Sequence, residues 1–169
     1  WQYAHAMARL FPALERDTRE RVDFGLALQP DGAIFFRAEF NDIPALEKAL
    51  ADEDVACVLA EPIMTNVGMV LPDDGFHKAL RELTRKTGTI LVIDETHCMS
   101  SGPGGYTRAN GLEPDVIVLG KPIAGGIPAA VYGFSAPMAA RIGEYLKGRP
   151  PGHSGIGTTL SGSKIQLAL

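Results

Sequence analysis

The chain has 169 residues, a formal net charge of −4, 46% hydrophobic and 21% charged residues. That is enough for one domain with a real core and short for a complete two-domain enzyme, and it indicates neither disorder nor a fibrous class. The basic residues are scattered among acids, which argues against nucleic acid as a partner, and neither a membrane-length apolar run nor a signal peptide is found.

Trp1 opens the chain without an initiator Met, and Leu169 closes it inside "LSGSKIQLAL", which reads as the start of a helix. A piece of a larger polypeptide is therefore expected. In chain order, Ala33 to Phe40, "AIFFRAEF", reads as a strand. "NDIPALEKALADED" predicts a helix capped by Asn41 or Asp42, because Ile43, Leu46, Ala49 and Leu50 recur at helical spacing. Val55 to Glu61, "VACVLAE", is a short apolar run bounded by Pro62 and reads as a buried strand. "DDGFHKALRELTRKTG" predicts a helix with a Phe76, Leu80 and Leu83 stripe and Gly88 at its stop. The next strand, "TILVIDE", runs straight into two adjacent carboxylates, Asp94 and Glu95.

A polar, Gly-rich loop follows from Ser100 to Gly111, and "PDVIVLGK" then reads as a buried strand with Lys121 just past its end. "GGIPAAVYGFS" predicts one more strand after a tight turn at Gly125 and Gly126, and Pro137 to Leu146 predicts a helix. Strands alternating with helices imply a three-layer α/β/α fold, its mostly parallel sheet covered on both faces. Ligands of such sheets bind at the carboxyl ends of the strands, where Asp94, Glu95 and Lys121 all fall. The two cysteines, Cys57 and Cys98, lie in or just after apolar runs, the setting of buried free thiols in a reducing, cytoplasmic compartment.

Acids at the mouth of a buried strand serve two chemistries. A phosphate-loop nucleotidase would use one to hold magnesium, and would require a Gly-rich loop ending in Lys followed by Ser or Thr. "LGKPI" places proline after Lys121, and "SGSKIQ" lacks the spacing. A pyridoxal phosphate enzyme would use an acid to keep the pyridine nitrogen protonated, with a lysine to form the Schiff base and donors for the phosphate. Asp94 and Lys121, at neighbouring strand ends, could meet opposite parts of one flat ring. No metal ligand is assigned.

"LVIDETHCMSSGPGGY", "PDVIVLGKPIAGGIPAAVYGFS" and "GTTLSGS", in that order, resemble the core of the class III aminotransferases. The likeness runs from about Asn41 to the end and leans towards the glutamate-1-semialdehyde aminomutase branch. The resemblance implies part of the large domain of a fold-type I pyridoxal 5′-phosphate transferase, spanning residues 1–169. The amino-terminal part and the carboxyl-terminal small domain would lie outside this chain.

It further implies that Asp94 contacts the pyridine nitrogen and that Lys121 is the Schiff-base lysine and proton shuttle. Thr159 would donate to the cofactor phosphate of the neighbouring subunit, which makes a homodimer part of the active site. "AEPIMTNVGMVLP" is similar to the family's Glu-Pro loop beside the cofactor, with Asn66 where many of its transaminases carry glutamate. Thr96 stands where Val or Ile packs under the ring, and its hydroxyl needs a partner. Glu95 is expected to hold backbone or a basic neighbour, whereas His97 and His153 are candidates for the pocket. The implied activity is amino transfer between an amino acid or amine and an oxo acid or aldehyde. Intramolecular exchange of the aminomutase type is the alternative, with a nucleotidase or a catalytically silent binding protein as readings of another class.

Overall fold

The computed structural model describes residues 38–125 and 129–150, and the elements below all lie in the compact unit that begins at Phe40. The expected strand from Ala33 falls mostly outside the described residues, and its last residue, Phe40, sits in a turn instead. Helix α1, Ile43–Leu50, starts where Asp42 accepts a hydrogen bond from the Ala45 amide at 2.9 Å, so Asp42 is the cap. Asn41, the other candidate, ties down the turn. Its Nδ2 donates to the Leu71 carbonyl at 2.9 Å and its Oδ1 accepts from the Asp73 amide at 3.0 Å.

Helix α2, Phe76–Thr87, ends at Gly88, whose φ of 71° is the left-handed conformation that glycine adopts without a Cβ penalty. Its Phe76, Leu80 and Thr84 are buried, with Leu83 packed partly against the core. Four strands form one sheet in the order β1 (Cys57–Ala60), β2 (Ile90–Asp94), β3 (Val116–Leu119) and β4 (Val131–Phe134). The β1–β2 and β2–β3 pairs are parallel and β3–β4 is antiparallel, so the sheet is mostly parallel as expected. Leu91 and Ile93, alternate residues of β2, meet Leu46 and Leu50 of α1 and Phe76 and Leu80 of α2 in the core. Burying each such side chain contributes roughly 1.5–3 kcal/mol, which fixes β2 in depth and therefore the height at which Asp94 emerges.

Several expectations need correction. β1 is an end strand of the described sheet, and its alternate residues face outward, so Leu59 is 67% exposed and Cys57 is exposed rather than buried. Cys98 is buried, as expected. β3 is half-buried throughout rather than fully buried. The segment from Ser100 to Gly111 is not all loop, because residues Gly105–Ala109 form a short helix, α3. The last helix, α4, spans Ala136–Lys147, with the Ser135 hydroxyl accepting from the Met138 amide at 3.4 Å.

An ion pair fastens the opposite, amino-terminal end of the sheet. Arg81 of α2 donates twice to Asp115, at 2.7 and 2.9 Å, and Asp115 Oδ2 also accepts from the Leu91 amide at 2.9 Å. The same residue's carbonyl accepts from the Ser135 amide at 2.9 Å. One partly buried residue thus joins α2, β2, β3 and the start of α4. The Arg81 guanidinium holds the Asp115 carboxyl below the usual aspartate range.

Candidate active site

The site is assembled at the carboxyl ends of β2 and β3. Asp94 lies in register with Val118, and the Glu95 amide donates to the Val118 carbonyl at 2.9 Å. Past Val118 the chain runs through Leu119 and Gly120 to Lys121, which opens a 3₁₀ turn, Lys121–Ala124. The structure therefore brings Asp94 and Lys121 to neighbouring strand ends, as the spacing predicts. Lys121 has φ 47°, a left-handed backbone that a non-glycine residue adopts at a cost on the order of 1 kcal/mol. Its side chain belongs to an exposed residue, so the described residues do not supply the partial desolvation that a Schiff-base lysine calls for.

Alternation along an extended chain separates the two acids. Asp94 Oδ1 accepts from the Thr96 amide at 2.9 Å, and Oδ2 has no partner among the described residues. Glu95 is 1% exposed and serves the backbone on the other side. Its carboxylate accepts from the Tyr106 amide at 3.1 Å and from the Thr107 amide, capping α3. Room for this comes from Gly105, at φ 75°, where a Cβ would stand 1.9 Å from Glu95 Oε2. Thr96 lies against the backbone that leads into Lys121: a Cβ on Gly120 would sit 3.5 Å from Thr96 Oγ1 and 3.7 Å from its Cγ2. The methyl and hydroxyl of Thr96 thus both border Gly120.

Asn66 is exposed on a small hairpin closed by Met64 and Val70, whose backbones exchange hydrogen bonds of 3.1 and 2.9 Å. Thr159, His153 and Gly126 lie outside the described residues. Two further groups escaped the sequence reading. Thr65 donates to Glu61 Oε2 through its hydroxyl at 2.7 Å and through its amide at 3.3 Å, and its hydroxyl also bonds His97 Nδ1. His77 of α2 donates from Nε2 to the Pro62 carbonyl at 2.9 Å and lies among Phe40, Phe76 and Tyr106. Burial holds its pKa below the usual histidine value, so the neutral ring is favoured. Both bonds tie down the Glu61-Pro62 loop, and neither has a local motif that would have revealed it. The Cys98 thiol is pushed up in pKa by burial, although a hydrogen bond to the Ile63 backbone opposes the shift.

Two cavities of about 190 and 340 Å³ flank α2 on the side of Arg81 and Arg85, and neither includes Asp94 or Lys121. Among the described residues no group of three or more His, Cys, Asp or Glu side chains could hold a metal ion, and no helix is long and apolar enough to cross a membrane.

Against this geometry, a sequence model of the family described as aminotransferase class-III matches residues 33–169. The chain belongs to the class III aminotransferases. It is 36% identical over 138 residues to a glutamate-1-semialdehyde 2,1-aminomutase of Syntrophomonas wolfei, covering 78% of this chain and 30% of that one. Among solved structures, a glutamate-1-semialdehyde-aminomutase of Pseudomonas aeruginosa PAO1 in complex with PMP superposes with a TM-score of 0.71 at 58% identity, over 78% of this chain and 30% of that one. The ornithine δ-aminotransferase of Plasmodium falciparum superposes with a TM-score of 0.54 at 31% identity, over 58% of this chain and 26% of that one. This class III chain thus spans about 30% of the length of the curated relatives it matches.

The donor set suits the cofactor that the family implies. Asp94 Oδ2 has no partner among the described residues and could meet a ring N–H, Lys121 is exposed just past the end of the adjacent strand, and Thr96 borders Gly120 beside it.

Proposed function

We propose that the polypeptide to which this chain belongs is a pyridoxal 5′-phosphate-dependent class III aminotransferase, moving an amino group between an amino acid or amine and an oxo acid or aldehyde. What carries the reading is the pairing of Asp94, whose Oδ2 has no partner among the described residues, and Lys121 at the ends of adjacent parallel strands. When bound, the cofactor supplies an electron sink for the pair of electrons left when the substrate's Cα proton departs. Asp94 is the residue that holds a proton on the ring nitrogen, since its negative charge favours the protonated form. Lys121 Nζ would anchor the cofactor and, once released, would be the base that takes the proton from the substrate's Cα. The Thr96 amide, by occupying Asp94 Oδ1, holds the carboxylate in a fixed orientation. Asn66 and the exposed hairpin that carries it would border the cofactor.

Thr159 completes the site by donating to the phosphate across a homodimer interface, and residues 1–169 form part of one cofactor-binding large domain. A reducing, cytoplasmic setting agrees with the free thiols of Cys57 and Cys98. A second reading, intramolecular exchange on one substrate, is favoured by Asn66 and by the aminomutases among the relatives. The full-length protein should be yellow, and borohydride reduction should leave the cofactor's mass on the peptide containing Lys121. A colourless protein that takes up no pyridoxal phosphate would sink the transferase reading. A panel of amino donors with pyruvate or 2-oxoglutarate separates transfer from exchange, since only transfer consumes the acceptor.

A further inference from the structure

Thr65 stands between a carboxylate and an imidazole, and its hydroxyl has one proton to give. Glu61 Oε2, accepting from both the Thr65 hydroxyl at 2.7 Å and the Thr65 amide at 3.3 Å, can only accept when ionised. The hydroxyl proton therefore goes to Glu61. The Thr65 oxygen must then accept from His97, and His97 must carry its proton on Nδ1, the atom that the structure places against that oxygen. Glu61 Oε2 lies a further 3.9 Å from the same nitrogen, so its charge favours a donor there. In the neutral ring this leaves Nε2 unprotonated, as an acceptor.

The three residues come from two loops. Glu61 and Thr65 follow β1, and His97 follows β2, so the relay crosses between the carboxyl ends of adjacent parallel strands. Asn66 is the next residue after Thr65, and Asp94 is three residues before His97. We propose that Glu61, Thr65 and His97 form a positioning relay that fixes His97 as its Nδ1–H tautomer and locks the Asn66 hairpin to the Asp94–His97 segment. His97 Nε2 is thereby presented as a hydrogen-bond acceptor at the site edge. The inference rests on the transferase reading only for its effect on the cofactor. The relay itself is a property of this chain's own side chains.

The test uses the full-length protein with ¹⁵N-labelled histidine, the His97 signals being assigned by their loss in His97→Gln. At a pH of about 9, where a histidine of ordinary pKa is neutral, His97 should show a protonated Nδ1 and an unprotonated Nε2. Thr65→Val keeps the shape and removes the hydroxyl. It should abolish the preference for the Nδ1–H form and weaken equilibrium binding of pyridoxal phosphate about five- to tenfold, the worth of one lost hydrogen bond. Thr65→Ser should restore both. A His97 protonated on Nε2 in the parent protein, or a Thr65→Val variant with unchanged nitrogen shifts, overturns the relay. Unchanged nitrogen shifts in Thr65→Val overturn it even if cofactor binding falls, because the loss then arises elsewhere. A parent protein that takes up no cofactor sinks the transferase reading instead, and the relay is then judged on the nitrogen spectra alone.

Discussion

Asp94 and Glu95 are chemically near-identical neighbours, and geometry assigns them opposite work. Asp94 Oδ2 has no partner among the described residues, whereas Glu95 spends both oxygens on amides of α3. Asp94→Asn preserves the acceptor for the Thr96 amide and removes the negative charge. It should therefore retain pyridoxal phosphate yet lower kcat by about 10²-fold or more, the scale of removing one preorganised electrostatic interaction; equal losses in kcat and cofactor content would point to a structural defect. Glu95 makes a different prediction through its neighbour. Gly105→Ala would drive a methyl into Glu95 Oε2 at a backbone φ of 75°, so both clash and strain oppose it. An unfolding midpoint equivalent to a loss of about 2–4 kcal/mol is expected. The supporting role of Glu95 was expected from the sequence, and its bonds to the α3 amides agree with it; the role of Asp94 was implied by the family resemblance. The Thr65–His97 hydrogen bond was not, since its partners stand 32 positions apart and meet only through the pairing of two loops.

The elements themselves were legible wherever local chemistry decides them. The α2 stripe, its Gly88 stop and the apolar run of β2 follow from side-chain periodicity and capping, and the structure places them within a residue or two of expectation. What periodicity cannot carry is which face of a strand the neighbouring helices cover, and this is why β1 reads as buried while exposing Leu59 and Cys57 on one face. Nor does it disclose α3, a five-residue helix organised by a distant carboxylate. Two clamps between elements have testable pH signatures. Asp115 titrates below the ordinary aspartate value of 3.8 when folded, so its contribution is fully present above that value and is lost as pH falls from there towards the lower folded value. Asp115→Asn should cost about 2 kcal/mol at neutral pH, and the gap from the parent should close in urea titrations carried down towards pH ~3. His77 behaves in the opposite sense. Its folded pKa lies below 6.5, so charging it opposes folding and stability falls as pH drops below that value. His77→Gln keeps a donor for the Pro62 carbonyl and cannot take up the proton, so its stability should vary less between pH ~7 and ~5 than the parent's.

At the scale of the whole molecule, the described residues bring Asp94 and Lys121 to neighbouring strand ends. Thr159, proposed to reach across a homodimer interface, makes that arrangement testable without any structure of the dimer. A Lys121→Ala subunit and a Thr159→Ala subunit should each form inactive or weakly active homodimers. In a mixed dimer, donation in trans creates one site with both defects and one site with neither. Refolding or co-expressing the two variants in equal amounts gives half mixed dimers by statistics, so about a quarter of parental sites should regain full kcat. If Thr159 instead serves its own subunit, every site in the mixed dimer carries at least one defect and no activity returns. The measurement turns on kcat per bound cofactor, because a site without its phosphate donor would first show lower cofactor occupancy. Recovery to about a quarter places Thr159 across the interface, and absence of recovery confines the site to one chain.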